Sequence, residues 1–398
     1  MKRPALVLVA LATAASMRSQ MWEQLATSDY RIDSSRVRSL RVALDNLTFF
    51  RDNEYSSSLT KGYSLPGLWL QPKFVLTPLS QVELELGLHA LIFDGANKYP
   101  NYVYHDIARW KGTQYQRGAH LLPWFRARAA FRHLTVVMGD IYGGQQHGLV
   151  TPLFNPETNL SQDPEMGFQL LWDRPHLHAD TWLNWQSYIF EEDSHQEAFT
   201  VGSNWRVMYN DAQATLHWYS PVQLVIQHRG GEQDTTAMGV QTLCNASVGI
   251  GLRRHMARSP FSRFGAEANL LATYQQSGQL WPFDSGWALH AEAEATMRCG
   301  LDIHAGMFHA PRHFASLYGN HFFSTISVRN GASYKGITTA YLRADYHYTF
   351  ARDYVLGVEA EAYQSWLGRS ATEPRSQELN FSFGIYLRVH PEILLKRW

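Results

Sequence analysis

Charged residues recur two positions apart along this chain: Glu83 and Glu85, Arg126 and Arg128, Glu292 and Glu294, Glu359 and Glu361. Two carboxylates close together are the raw material of general acid–base work, and glycoside hydrolysis uses such a pair. A glycosidase, however, holds its two carboxylates across a cleft. A spacing of two stacks both side chains on one face of a β-strand. The stretch "SQVELELGLHALIF" (80–93) shows the pattern: Leu84, Leu86, Leu88 and Ala90 form one row, and Glu83, Glu85, Gly87 and His89 form the other. The pairs therefore read as charged rows on a wall and not as catalytic dyads.

Other groupings are weaker. "NHFFSTISVRNG" brings His321, Ser324 and Asn330 near one another, and "SPFSRF" holds Ser259 and Ser262, but neither follows the His-x-Ser-Asn stretch expected of a barrel lipase. Asp193 and His195 form an acid–imidazole pair of the kind barrel proteases use at an outer rim, a juxtaposition that arises easily by chance. His176 with His178 and His309 with His313 lack a third ligand at diagnostic spacing, so no metal site is expected. No glycine-rich phosphate loop or basic stripe appears, and the 35 basic residues balance the 35 acidic ones, so nucleic acid is not an expected partner. The sequence reading expects no enzymatic activity and no cofactor. Cys244 and Cys299 are expected to remain unpaired thiols.

The elements that carry these rows are strands. Sixteen alternating segments follow residue 37, among them Phe125, Ala127, Ala129 and Phe131 set against Arg126, Arg128 and Arg132, and Leu342, Ala344, Tyr346 and Tyr348 set against Arg343, Asp345 and His347. They run about ten to fourteen residues, the length of a tilted strand crossing a bilayer, where soluble strands run about five or six. Short connections (77–81, 132–133, 174–176, 210–211, 298–299, 351–353) alternate with longer ones (51–65, 95–118, 144–164, 191–196, 229–236, 277–285, 310–336, 368–376). Aromatic residues such as Trp69, Trp124, Trp172, Trp287 and Trp366 gather near segment ends, as an interfacial belt requires. Residues 1–20, "MKRPALVLVALATAASMRSQ", have the basic start and short apolar run of a secretory signal peptide. A short helix near Trp22 to Leu25 is the one helical expectation.

These features resemble a Gram-negative outer-membrane β-barrel of porin-like type. "FFRDNEYSSSLTKGYSLPGLWLQPKF" and "DPEMGFQLLWDRPHLHADTWLNWQSYIFEEDSHQEAFTVG" are similar to stretches of uncharacterised outer-membrane proteins of the Bacteroidetes. The resemblance implies an all-β, antiparallel, up-and-down transmembrane barrel over residues 38–390, with a periplasmic tail at 391–398. It also implies location in the bacterial outer membrane, contact with outer-membrane lipid, and insertion by the barrel-assembly machinery. The polar rows then face the lumen, with Arg41, Lys73, Glu83, Glu85, Arg126, Arg128, Glu292, Glu294, Arg343, Glu359 and Glu361 as pore-lining residues. Neighbouring strands of opposite sign, such as those carrying Glu83 and Glu85 and then Arg126 and Arg128, can form salt-bridge ladders, and acid facing base across the pore would set up a transverse field. The expected function is passage of small polar solutes. The alternatives are a barrel plugged by its own loops as a structural or assembly subunit of a larger complex, and an outer-membrane enzyme. The loop 145–165, rich in proline, is expected to fold inward, and 320–330 to form either a loop hairpin or extra strands.

Overall fold

A computed structural model describes residue 30 and residues 32–93, 118–189, 194–231, 239–372 and 374–398. Seventeen strands account for most of them. β1 (Ser39–Ser56), β2 (Lys61–Leu79), β3 (Val82–Phe93), β4 (Gly118–Ala130) and β5 (Leu134–Asp140) are followed by β6 (Met166–Arg174), β7 (Leu177–Ser187), β8 (Ala198–Met208) and β9 (Leu216–Arg229). Then come β10 (Gln241–His255), β11 (Phe261–Ser277), β12 (Ser285–Met297), β13 (Leu301–Ala310), β14 (Ile337–Ala351), β15 (Tyr354–Leu367), β16 (Ser376–Val389) and β17 (Glu392–Arg397).

From β1 to β16 each strand pairs antiparallel with the next, and β16 returns to β1, closing a barrel of sixteen strands. Closure gives every wall strand two neighbours, which hydrocarbon demands of a spanning sheet. β17 lies beside the first residues of β1, with Ser39 opposite Arg397 and Ala43 opposite Glu392. The expected helix near Trp22 falls outside the described residues.

Outside and inside follow the two rows. On β3, Leu86 is 63% exposed and Leu88 46%, whereas Glu83 and Glu85 are buried. Phe125 on β4 and Leu379, Phe381 and Phe383 on β16 likewise face outward. An apolar girdle around a closed barrel is a lipid-facing surface, and the protein belongs to the outer membrane. The longer connections emerge at one end and the short turns at the other, which sets the outer and periplasmic rims.

One expected loop is largely strand. Residues 51–65 were expected to form a connection, but β1 and β2 run 18 and 19 residues and leave only 57–60 between them. Arg51 pairs with Leu65 and Asn53 with Tyr63 in this extended hairpin.

Two outer-rim connections fold into the lumen. Residues 141–165 carry 3-10 turns at Gly144–His147 and Pro156–Leu160, the second capped by Asn155, whose side chain accepts from the Glu157 amide. Residues 311–336 carry a 3-10 turn at His321–Phe323. Phe314, Phe322, Phe323, Leu153, Leu160 and Tyr334 are fully buried and form an apolar core inside the barrel. The two loops clasp each other: Asn155 N donates to Tyr318 O at 2.7 Å, and Ser316 Oγ donates to Pro152 O at 2.5 Å.

Candidate functional site

The lumen-facing charges predicted from sequence are buried, apart from the half-buried Lys73, Glu292 and Glu294, and they pair with near neighbours instead of opposing one another across the barrel. The antiparallel register sets Glu83 against Arg128 and Glu85 against Arg126. Arg128 contacts Glu83, Arg41 donates to Glu83 at 2.6 Å, and Lys73 lies 3.3 Å from Glu85 and 3.0 Å from Asp45. Arg126 lies 3.6 Å from Glu85 and donates through Nε to Asp140 O. Of the two expected arrangements, the local cross-strand ladder is the one formed; Arg126 and Arg128 are engaged there and do not face Glu292 or Glu294 as free charges across the barrel.

A second cluster fastens the loops to the upper wall. Arg51 contacts Glu359, and it lies 2.5 Å from Glu361 and 2.8 Å from Glu157. Tyr63 donates its hydroxyl to Glu157 at 2.5 Å, and Asn53 donates Nδ2 to the same carboxylate. Tyr363 donates to Glu361 at 2.8 Å, and Asn320 donates to Tyr363 at 3.2 Å. Glu157 comes from one inward loop and Asn320 from the other. Arg51 was missed by sequence reasoning because it fell in the supposed 51–65 connection.

His147 anchors the first loop at mid-wall. Its Nδ1 lies 2.7 Å from Asp180 Oδ2 and its Nε2 3.2 Å from Glu165 Oε2. Burial alone would pull the imidazole below its usual value, but the two carboxylates outweigh it and raise the pKa to about 9. His321, in the other loop, has no such support, and burial pushes it down to about 4.

Beneath the loops is a chamber of about 330 Å³. Residues 145–151 roof it, and β8 to β14 wall it. Glu292 accepts from Arg343 (2.6 Å), Tyr341 (2.6 Å) and His304 Nδ1 (3.0 Å), while His290 Nε2 lies 2.8 Å from the Tyr341 hydroxyl. Glu294 holds Arg253 at 3.1 Å and Arg263 at 3.0 Å. Of the predicted residues, Glu292, Glu294 and Arg343 meet here, whereas Glu83, Glu85, Arg41, Lys73, Arg126 and Arg128 form the β1–β4 ladder and Glu359 and Glu361 the Arg51 cluster. His290, His304, Arg206 and Tyr219 were not singled out, although the same alternation places them on the inner row.

At the outer rim the lipid-facing surface carries two hydrogen-bonded histidine–threonine pairs. His309 Nδ1 on β13 lies 2.9 Å from Thr338 Oγ1 on β14, and His228 Nδ1 on β9 lies 2.9 Å from Thr242 Oγ1 on β10. Around the first pair, Leu289, Met307 and Trp366 are exposed apolar neighbours, and Arg312 and Lys335 stand exposed on the loop above. An imidazole within hydrogen-bond reach of a hydroxyl is the minimal arrangement for nucleophilic or general-base chemistry. His309 was considered in sequence only as a metal ligand with His313, and no group of three or more His, Cys, Asp or Glu suited to a metal occurs among the described residues. Asp193, the partner proposed for His195, lies outside them.

Comparison with known proteins adds what geometry alone does not. Residues 32–398 match the Lipid A 3'-O-deacylase-type family. The chain belongs to that family. This overturns the expectation of no enzymatic activity, since the family is one of enzymes. The sequence reading missed it because the expected barrel-lipase stretch is absent.

No curated protein matches the chain. Among solved structures, the chain is similar to OccAB3 of Acinetobacter baumannii at 9% identity, covering 89% of this chain and 99% of that one, with a TM-score of 0.48. It is also similar to the trimer form of OmpT, an outer membrane protein of Vibrio cholerae, at 10% identity, covering 88% and 99%, with a TM-score of 0.48. A third likeness is to the outer membrane protein opdK of Pseudomonas aeruginosa, at 9% identity, covering 89% and 99%, with a TM-score of 0.47.

Proposed function

We propose that this barrel is an outer-membrane esterase that removes an ester-linked acyl chain from a lipid A-type glycolipid in the outer leaflet. The observation that carries the reading is the family match over residues 32–398. The pair His309–Thr338 supports it in detail. An outer-leaflet ester lies where acyl chains give way to sugar and phosphate. Leu289, Met307 and Trp366 suit the chains, and Arg312 and Lys335 above them suit phosphate.

In this reading His309 Nδ1 takes the proton as Thr338 Oγ1 attacks the ester carbonyl. Collapse of the tetrahedral intermediate releases the sugar hydroxyl, to which His309 returns the proton. Water, deprotonated by the same imidazole, then frees the fatty acid and regenerates Thr338. Purified protein in mixed micelles with lipid A, followed by mass spectrometry, tests this. Wild type is expected to release one acyl chain, and His309→Ala and Thr338→Val to lose roughly 10²-fold or more. Absence of release by wild type overturns the function; full activity of His309→Ala overturns only the site.

The charged chamber favours a second reading, passage of small polar solutes. The two inward loops fill the lumen above it, so passage requires them to move. Conductance in a planar bilayer separates the readings: discrete open levels support a channel, and silence supports a plugged barrel with surface chemistry.

A further inference from the structure

Among the chamber's lining residues are four arginines and three glutamates, and pairing them leaves one cation over. Glu292 is taken by Arg343, and Glu294 is shared by Arg253 and Arg263. Glu267 accepts from Tyr219 at 2.8 Å and from Asn269 at 2.9 Å. Arg206 makes no ion pair within 4.0 Å with any described residue. It projects inward from β8 and rests on the Tyr219 ring, its guanidinium carbon 4.6 Å from the centroid; the Arg253 guanidinium lies 5.3 Å from the same centroid. The chamber thus holds two guanidiniums against one phenol ring; Glu294 is paired with Arg253 and Arg263, and Glu267 is bonded by the neutral Tyr219 and Asn269 and makes no ion pair with Arg206.

A cation in a protein wall without a paired anion is less well hydrated than in bulk water, and an anion seated beside it offsets that loss. A guanidinium presents a planar fork of donors matched to carboxylate or phosphate oxygens. The roof adds the neutral Gln145 and Gln146 and contributes no acid that would repel such a guest. We infer that the chamber binds a small oxyanion, a carboxylate or phosphate group, between Arg206 and Arg253 over Tyr219. This binding is separate from the proposed ester chemistry at the outer rim and needs no turnover to observe.

Equilibrium dialysis of the detergent-solubilised full chain against radiolabelled inorganic phosphate and, separately, succinate tests it. Wild type binds at least one, and whichever is held more tightly identifies the phosphate or the carboxylate class. Arg206→Gln weakens binding about tenfold or more, and Arg206→Lys weakens it less. Heat-dependent migration on a denaturing gel reports whether each variant is folded. If Arg206→Gln is not, Tyr219→Leu is expected to show the same loss. Binding of neither anion by wild type, or equal affinity in folded Arg206→Gln, overturns the inference.

Discussion

The imidazole of His147 lies face to face with the indole of Trp182, ring centroids 3.5 Å apart and planes within 8°. Trp182 projects from the wall strand β7, and His147 ends the 3-10 turn of the first inward loop. Gly202 makes the contact feasible, because a Cβ there would fall 2.1 Å from the indole. Stacking and two carboxylates thus hold one imidazolium at the junction of loop and barrel.

That junction is expected to be pH dependent. The folded-state pKa of His147 is raised to about 9, so its contribution is fully present below the unfolded value of 6.5 and is lost as pH rises through 9. The amount is on the order of 3 kcal/mol. His321 acts oppositely: held near 4, it lets stability fall as pH drops from 6.5 toward 4. Protease accessibility of the loops in detergent should pass through a minimum near neutrality, and His147→Gln should remove the alkaline rise. An unchanged alkaline rise in that variant contradicts the assignment.

Arg51 is the sole cation in contact with Glu157, Glu359 and Glu361 among the ion pairs described. Arg51→Met leaves these buried carboxylates uncompensated. Loss of one partner from a buried pair costs about 3–5 kcal/mol. The thermal midpoint of the detergent-solubilised barrel should fall sharply, with the inward loops released before the wall unfolds.

Gly306 faces Tyr341 across the sheet, and a Cβ there would lie 2.4 Å from the ring. Gly306→Ala pushes Tyr341 aside and disrupts its hydrogen bonds to Glu292 and His290. Overpacking of this kind costs about 1–3 kcal/mol. The variant should also bind anions in the chamber more weakly, and an unchanged thermal midpoint would argue that the ring relocates freely.

The two thiols report orientation. Cys244 faces lipid on β10, and Cys299 is exposed in the short turn after β12. A membrane-impermeant maleimide added to intact cells should label neither. After the outer membrane is permeabilised, Cys299 should react. Labelling of Cys299 in intact cells would reverse the assignment of the two rims.

His309 and His228 make the same hydrogen bond at the same rim, so they form an internal comparison. Deacylation should fall by about 10²-fold in His309→Ala and stay near wild type in His228→Ala. Equal loss in both would point to the belt as a whole, not to one pair.

The wall was legible because a barrel strand exposes its environment at every second residue. Glu83 and Glu85 opposite Arg126 and Arg128 followed from alternation and antiparallel register alone. The loop cluster was not, because it depends on contacts without a period: Ser316 reaches Pro152 across 164 residues. Arg51 was hidden by the Ser-rich segment that follows it, which reads as a loop although the hairpin continues to Ser56. His309 and Thr338 are 29 residues apart and become neighbours only through the β13–β14 register, so no linear motif marked them.

Having a hydrophobic interior of its own sets this barrel apart from an empty ring in how it must mature. Phe314, Phe322 and Phe323 gain their shelter only after segments far apart in the chain have been brought into one enclosure, and such distant closures are slow. Until then the chain carries greasy rings that neither lipid nor wall covers, a burden the same wall would not carry with its interior left vacant.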